Sequence, residues 1–311
     1  MAESAAGDLL VIGFDGRKVT MIVAEAGSDA EAKLLWLFGL QHILASRESG
    51  FEIRDFTASQ HELSYMEQSI LEELGIETSA DYFADIEKVL TRFGGKFPAT
   101  AEFSLYAREL SGVDSSRGNP DETLLAWWSE EEKLFRALER HIVQVQLDRG
   151  FRDVDQFVEF AKSVLNRRNS RAGHAFENHL AQIFRDHDIM FDKGKQTEFK
   201  SRPDFIFPSI EHYQSASERK DLIPLLTMLA AKTSCKDRWR QITKEAALIE
   251  KKHLFTLEPA ISPDQTNEMQ RASVQLIVPQ GIMSSYLPDQ RSRLMNLQDF
   301  LSLLSEKQER L

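Results

Sequence analysis

At 311 residues, with 42% hydrophobic and 28% charged side chains, the chain can bury one substantial core and a second, smaller one, which excludes a disordered or fibrous polypeptide. Its net charge of -11 argues against a uniformly basic nucleic-acid binder, but residues 1–150 hold 14 Lys and Arg against 27 Asp and Glu, and residues 151–311 hold 24 against 22. No apolar run nears the roughly 20 residues needed to cross a bilayer, MAESAAGDLL lacks the marks of a secretion signal, and Cys235 is the sole cysteine, so a cytoplasmic, reducing location without membrane contact is expected.

In chain order, Leu9 to Phe14 and Val19 to Ala24 read as two strands joined by the turn signal Asp15-Gly16. Helical spacing follows over Asp29 to Leu44, Glu62 to Leu74 and Ala80 to Phe93, where Gly94-Gly95 and Pro98 mark a linker. Residues 1–96 are therefore expected to form a smaller, mainly helical, acidic N-terminal region with a hairpin, and residues 97–311 the main domain. Helices are predicted over Ala101 to Leu110 and over Asp121 to Gln146, the latter opened by Asn119-Pro120-Asp121, then over Val154 to Asn166 and Gly173 to His187. Strands are predicted over the proline-bracketed run Pro203 to Pro208 and over Leu225 to Ala231, His253 to Leu257 and Val274 to Val278. Helices over Lys236 to Lys251 and Ser262 to Ala272 alternate with them, giving an α/β fold with a mixed central sheet flanked by helices.

Two basic clusters stand out in the second half. Ala161 to Arg171 holds Lys162, Arg167, Arg168 and Arg171 with no acid, and Ala231 to Lys244 holds five basic residues against Asp237 alone. Both are candidate phosphate contacts; the alternative is a solvated helix face.

Phosphodiester hydrolysis needs carboxylates to hold Mg²⁺ and a cation near the scissile phosphate. Asp204 opens one predicted strand and Lys232 closes another. Neighbouring strands lie about 5 Å apart, so a shared sheet edge could present both. On the predicted helix that follows, Trp239, Ile242, Ala246 and Ile249 form an apolar stripe with Glu245 in its midst. An unpaired charge there would cost several kcal/mol. A metal ion would satisfy it; a salt bridge to Lys232 or Arg238 is the plainer alternative.

At these residues the chain resembles the type II restriction endonucleases of the EcoRII, PspGI and SsoII group, which have the PD-(D/E)xK fold. The resemblance spans about residues 97–300. It rests on Ser163-Val164, Asn166-Arg167-Arg168 and Ser170-Arg171-Ala172-Gly173, on Arg202-Pro203-Asp204-Phe205 with Phe207-Pro208-Ser209, and on Lys232-Thr233 with Cys235-Lys236-Asp237-Arg238-Trp239-Arg240-Gln241. His253-Leu254-Phe255-Thr256-Leu257 completes it. In that family the second acid comes from the helix after the lysine, and here Ala230 stands where the ordinary motif places an acid.

The resemblance implies that Asp204, Lys232 and Glu245 are catalytic, with Asp204 and Glu245 as Mg²⁺ ligands, and that Glu177, Tyr213 and Lys236 match accessory positions. It implies a DNA-reading head at Lys236, Asp237 and Arg238, next to Arg240. Their chemistry suits a CC/GG site, because an acid accepts from cytosine N4 while Lys or Arg donates to guanine O6 and N7. Further implications are a homodimer on a palindromic double-stranded site of CCWGG or CCNGG type, and a cognate DNA methyltransferase as functional partner. A flipped central base would stack at Trp128, unless Trp127 and Trp128 are core. Residues 1–96 look like the remnant of an effector domain, from which activity on a single site is expected. A repair nuclease acting on nicks or DNA structures, and a non-catalytic DNA-binding protein on the same fold, are the alternatives.

Overall fold

The computed structural model describes all residues except 1–3, 15–16, 42–66, 68–69, 72–85 and 236–237. The chain divides into two compact units that interleave in sequence. The first comprises Met1–Thr78, Glu258–Ala272 and Ile282–Leu294, and the second comprises Ser79–Leu257, Ser273–Gly281 and Met295–Leu311.

In the first unit the predicted hairpin forms, with β1 (Leu9–Phe14) antiparallel to β2 (Val19–Ala24). Helix α1 (Asp29–Leu37) starts where the Ser28 side chain accepts from Glu31 N–H. It is shorter than the predicted Asp29 to Leu44, because Gly39 adopts φ 67, a left-handed conformation that ends the helix. The predicted helix over Glu62 to Leu74 falls largely outside the described residues.

The second unit holds the sheet. Helices α2 (Ile86–Phe93), α3 (Thr100–Leu110) and α4 (Pro120–Arg149) meet in an apolar cluster built on Val89, Phe103, Ala107, Leu134, Phe135 and Leu138. Asn119 caps α4 by accepting from Glu122 N–H, and Pro120 fills the first helical position, where its missing N–H costs nothing. The two helices expected over Val154 to Asn166 and Gly173 to His187 are one, α5 (Val154–Asp186, 33 residues). The polar link between them contains no proline, and a single glycine, Gly173, costs a helix interior only about 1 kcal/mol.

Five strands follow in the order β3 (Asp192–Lys193), β4 (Phe205–Phe207), β5 (Thr227–Lys232), β6 (Lys252–Thr256) and β7 (Val274–Ile277). The β3/β4 and β4/β5 pairs are antiparallel, and the β5/β6 and β6/β7 pairs parallel. This is the mixed sheet that the sequence predicts. Both β5 and β6 are buried nearly throughout, as strands covered on both faces must be.

Alternation on β4 assigns the two faces. Phe205 and Phe207 lie against Phe184 of α5, each with ring centroids 5.2 Å away, and Phe300 of α6 (Leu297–Gln308) closes the same face. Ile206 points the other way, into a cluster with Met228, Tyr213, Leu226, Ala246 and Ile249. Helix α6 is fixed by Asp121 of α4, whose carboxylate accepts from the N–H groups of Leu297 and Gln298. No helix among the described residues is long and apolar enough to cross a membrane.

Candidate active site

The β4/β5 register creates the site. Leu229 pairs with Phe205, so antiparallel strands bring the start of one beside the end of the other. Lys232 Nζ donates to Asp204 Oδ2 at 2.8 Å, and Ala231 N–H donates to the same oxygen at 2.7 Å. Both groups are partly exposed, at 27% for Lys232 and 15% for Asp204, which leaves the pair open to a ligand. Asp204 Oδ1 accepts no hydrogen bond among the described residues.

Glu245 reaches the site by another route than the one predicted. Among the described residues, the expected helix from Lys236 to Lys251 is α-helical only over the short turn Trp239–Ile242. The apolar stripe is real, since Trp239, Ile242, Ala246 and Ile249 are all buried, but the backbone departs from helix after Thr243. Glu245 N–H bonds Ile242 C=O, a three-residue spacing, and Ala246 has φ 46, a value that no right-handed helix continues through. The acid therefore sits on a turn.

The Glu245 carboxylate makes no hydrogen bond or ion pair among the described residues, so the salt bridge to Lys232 or Arg238 is absent. Burial pushes its pKa above the ordinary glutamate value and the Asp204 charge adds to this, while Lys232 and Lys252 oppose it. With a raised carboxylate pKa the folded chain keeps a proton that the unfolded chain has already lost, so stability is fully present below the ordinary glutamate pKa and is lost as pH rises through the raised one. Glu245→Gln is accordingly expected to melt higher than the wild type at pH 7 without metal, with the advantage vanishing in acid. A lower melting temperature for the variant at pH 7 would contradict this electrostatic picture.

Two carboxylates near enough for their charges to interact, one of them with no hydrogen-bond or ion-pair partner among the described residues, suit a hard divalent cation. Mg²⁺ takes one or two carboxylates and keeps several waters, so Asp204 and Glu245 are the residues that could hold one.

Tyr213 lies behind the turn. Its hydroxyl donates to Glu198, 2.7 Å from Oε2, and accepts from Leu248 N–H at 3.2 Å. Burial raises the Tyr213 pKa and Glu198 raises it further, against the Leu248 bond, so the phenol stays protonated at neutral pH. Glu177 is joined to the sheet edge through Lys193, 3.2 Å away, and Lys193 pairs with Phe205, next to Asp204.

The remaining candidates are placed elsewhere in the same unit. Arg238 is exposed and donates to the Ser234 carbonyl and hydroxyl at 3.0 and 3.1 Å, and exposed Arg240 lies over the Trp239 ring. Lys236 and Asp237 lie outside the described residues. Arg167 is exposed with its guanidinium 4.4 Å from the Phe97 centroid. Arg168 pairs with Glu139, while Arg171 is buried against Glu131 and Glu132 and over Phe135. Trp128 is 3% exposed and edge-on to Phe176, so a base stacking there would first have to displace core packing.

Two residues at the site, Glu198 and Lys252, were not singled out from the sequence. Glu198 lies in the polar run KGKQTEFK and Lys252 in the pair Lys251-Lys252, both of which read as solvated surface. No periodicity marks either one.

Residues 135–301 match the family model described as EcoRII C terminal. The chain is 39% identical over 212 residues to the type II restriction enzyme EcoRII of Escherichia coli, covering 68% of this chain and 51% of the relative. The chain thus spans about half the length of that curated relative. Among solved structures, metal-depleted Ecl18kI in complex with uncleaved DNA matches with a TM-score of 0.57 at 18% identity, covering 75% of this chain and 86% of the other. The restriction endonuclease PspGI–substrate DNA complex matches with a TM-score of 0.55 at 14% identity, covering 69% and 95%. At these identities the two structures bear on the fold, which is that of restriction endonucleases.

Proposed function

Because this chain belongs to the EcoRII C-terminal family, we propose that it is a site-specific endonuclease that hydrolyses phosphodiester bonds of double-stranded DNA. The observation that carries this reading is the Asp204–Lys232 pair at the open sheet edge, with the Glu245 carboxylate, which has no hydrogen-bond partner among the described residues, in electrostatic reach of both. Asp204 and Glu245 would hold Mg²⁺, which when bound supplies positive charge against the charge developing on the scissile phosphate. Lys232 binds a phosphate oxygen and orients the attacking water, while Asp204 Oδ2 fixes the ammonium in place. In the displacement one P–O bond forms as another, in line with it, breaks.

The proposed recognition site is a short palindrome containing CC and GG, of CCWGG or CCNGG type. Lys236, Asp237 and Arg238 would read its base edges, and Arg167 would contact phosphate from the exposed face of α5. A symmetric site calls for a homodimer in which each protomer cuts one strand, and a host would need a cognate methyltransferase to protect its own DNA. Residues 97–311 are the proposed catalytic domain, and acidic residues 1–96 an accessory region.

Plasmid DNA incubated with the protein and Mg²⁺ should give discrete fragments whose sequenced ends share one palindrome. Smearing, or cutting only at nicks, would replace this reading with that of a structure-specific nuclease. DNA binding without any cutting would replace it with that of a non-catalytic binder.

A further inference from the structure

We propose that Lys252 and Glu198 are positioning residues that, together with Tyr213, clamp the turn 246–249 and thereby aim Glu245 at Asp204 and Lys232. This rests on the nuclease reading for its consequence, though the clamp itself is a feature of the fold.

The turn needs holding. Ala246 sits at φ 46, where a side chain with a Cβ is disfavoured by roughly 1–2 kcal/mol, and such a conformation persists only where its surroundings over-determine it. Three groups converge on it. Lys252 Nζ donates to the Ala246 carbonyl at 2.8 Å and also to the Ile249 carbonyl. The Tyr213 hydroxyl accepts from Leu248 N–H, and Glu198 Oε2 accepts from Ala247 N–H at 3.4 Å. Each residue of 246–249 thus has a backbone polar group tied to one of three side chains.

Packing alone does not account for these side chains. Ala246, Ile249 and Tyr213 already share an apolar cluster, and an ammonium only 5% exposed costs several kcal/mol to bury. Burial lowers the Lys252 pKa, and the nearby Glu198 and Glu245 charges oppose the shift, so the same ammonium that pins the turn also offsets the Glu245 charge. The loop that presents Glu198 is strained as well, with Phe199 at φ 55 and Lys200 at φ 62. Two strained segments tied across a hydroxyl and a carboxylate form a rigid support for Glu245, which lies on a turn, whereas Asp204 is held by the strand that begins at the next residue.

The test uses the full chain with Lys252→Met, which keeps most of the apolar stem but removes the ammonium, and with Glu198→Ala against Glu198→Gln, which retains an acceptor oxygen. Amide hydrogen exchange is followed at Ala247 and Leu248, and Mn²⁺ binding is titrated by electron paramagnetic resonance. Lys252→Met and Glu198→Ala should speed exchange at the turn while protection in β5 is retained. They should also weaken Mn²⁺ binding by about 10- to 100-fold, the usual effect of removing a support behind a metal ligand. Glu198→Gln should stay near wild type in both, and the Mg²⁺ concentration for half-maximal cleavage should rise in parallel with the Mn²⁺ loss. Unchanged turn exchange and Mn²⁺ affinity would overturn the proposal. So would loss of protection throughout β5, which marks general unfolding, or a wild type that binds no Mn²⁺. A wild type that binds Mn²⁺ but cuts no DNA would sink the nuclease reading alone, and the exchange data would still decide the clamp.

Discussion

Asp204→Ala is expected to reduce Mg²⁺-dependent DNA cleavage by on the order of 1,000-fold or more while leaving metal-free DNA binding within a few-fold of wild type. One side chain accepts from Lys232, accepts from Ala231 N–H, and supplies one of the two carboxylates available to a cation. Its removal therefore frees the lysine ammonium and halves the acidic donor set at once. The Glu245 pKa should fall, since the Asp204 charge is one of the causes of its elevation. The cost to stability should be small, because the site is solvent-accessible and the orphaned Ala231 N–H can find water. Cleavage by the variant within tenfold of wild type would remove Asp204 from the catalytic set.

The second large effect concerns the support of the sheet. Phe184→Ala is expected to destabilise the second unit by about 3–5 kcal/mol, read from urea unfolding followed by near-ultraviolet circular dichroism. Phe184 is fully buried and meets four other rings, with centroids 5.5 Å from Phe191, 5.2 Å from both Phe205 and Phe207, and 6.4 Å from Phe300. These contacts are mostly edge-to-face, a geometry that adds to simple area burial. Because Phe205 directly follows Asp204, loosening this face should also loosen the strand beside the proposed catalytic acid. A loss below about 1 kcal/mol would mean that α5 does not pack on the sheet in solution as described.

Much of this arrangement could be read from the chain, for identifiable reasons. Strands β5, β6 and β7 lie within a residue or two of the runs that predicted them, because strands covered on both faces have apolar centres, such as Met228 to Ala231 and Leu254-Phe255. Asp204 and Lys232 could be paired in advance because each borders such a run. Glu245 was identifiable by type and spacing, but its backbone was not. The stripe Trp239, Ile242, Ala246 and Ile249 has helical period, yet tertiary bonds from Lys252 and Tyr213 override that local pattern. Hydrogen bonds of this kind link residues distant in sequence and leave no periodic trace, which is why Glu198 and Lys252 went unmarked. The separation of the helices expected over Val154 to Asn166 and Gly173 to His187 is not seen, because Arg168 and Arg171 on the intervening segment pair with Glu139, Glu131 and Glu132 of α4 on a continuous helix.

The continuity of α5 sets a constraint of phase. Arg167 near the middle of this helix and Glu177 further along it belong to one rigid screw, on which each residue advances about 100°. Inserting or deleting a single residue between them would swing the basic face away from the strand edge by that angle, even with every side chain retained. Spacing along this segment therefore carries as much information as residue identity. An engineered change of whole turns would preserve the facing direction but shift one end by roughly 5 Å, a displacement comparable to the distance between adjacent strands.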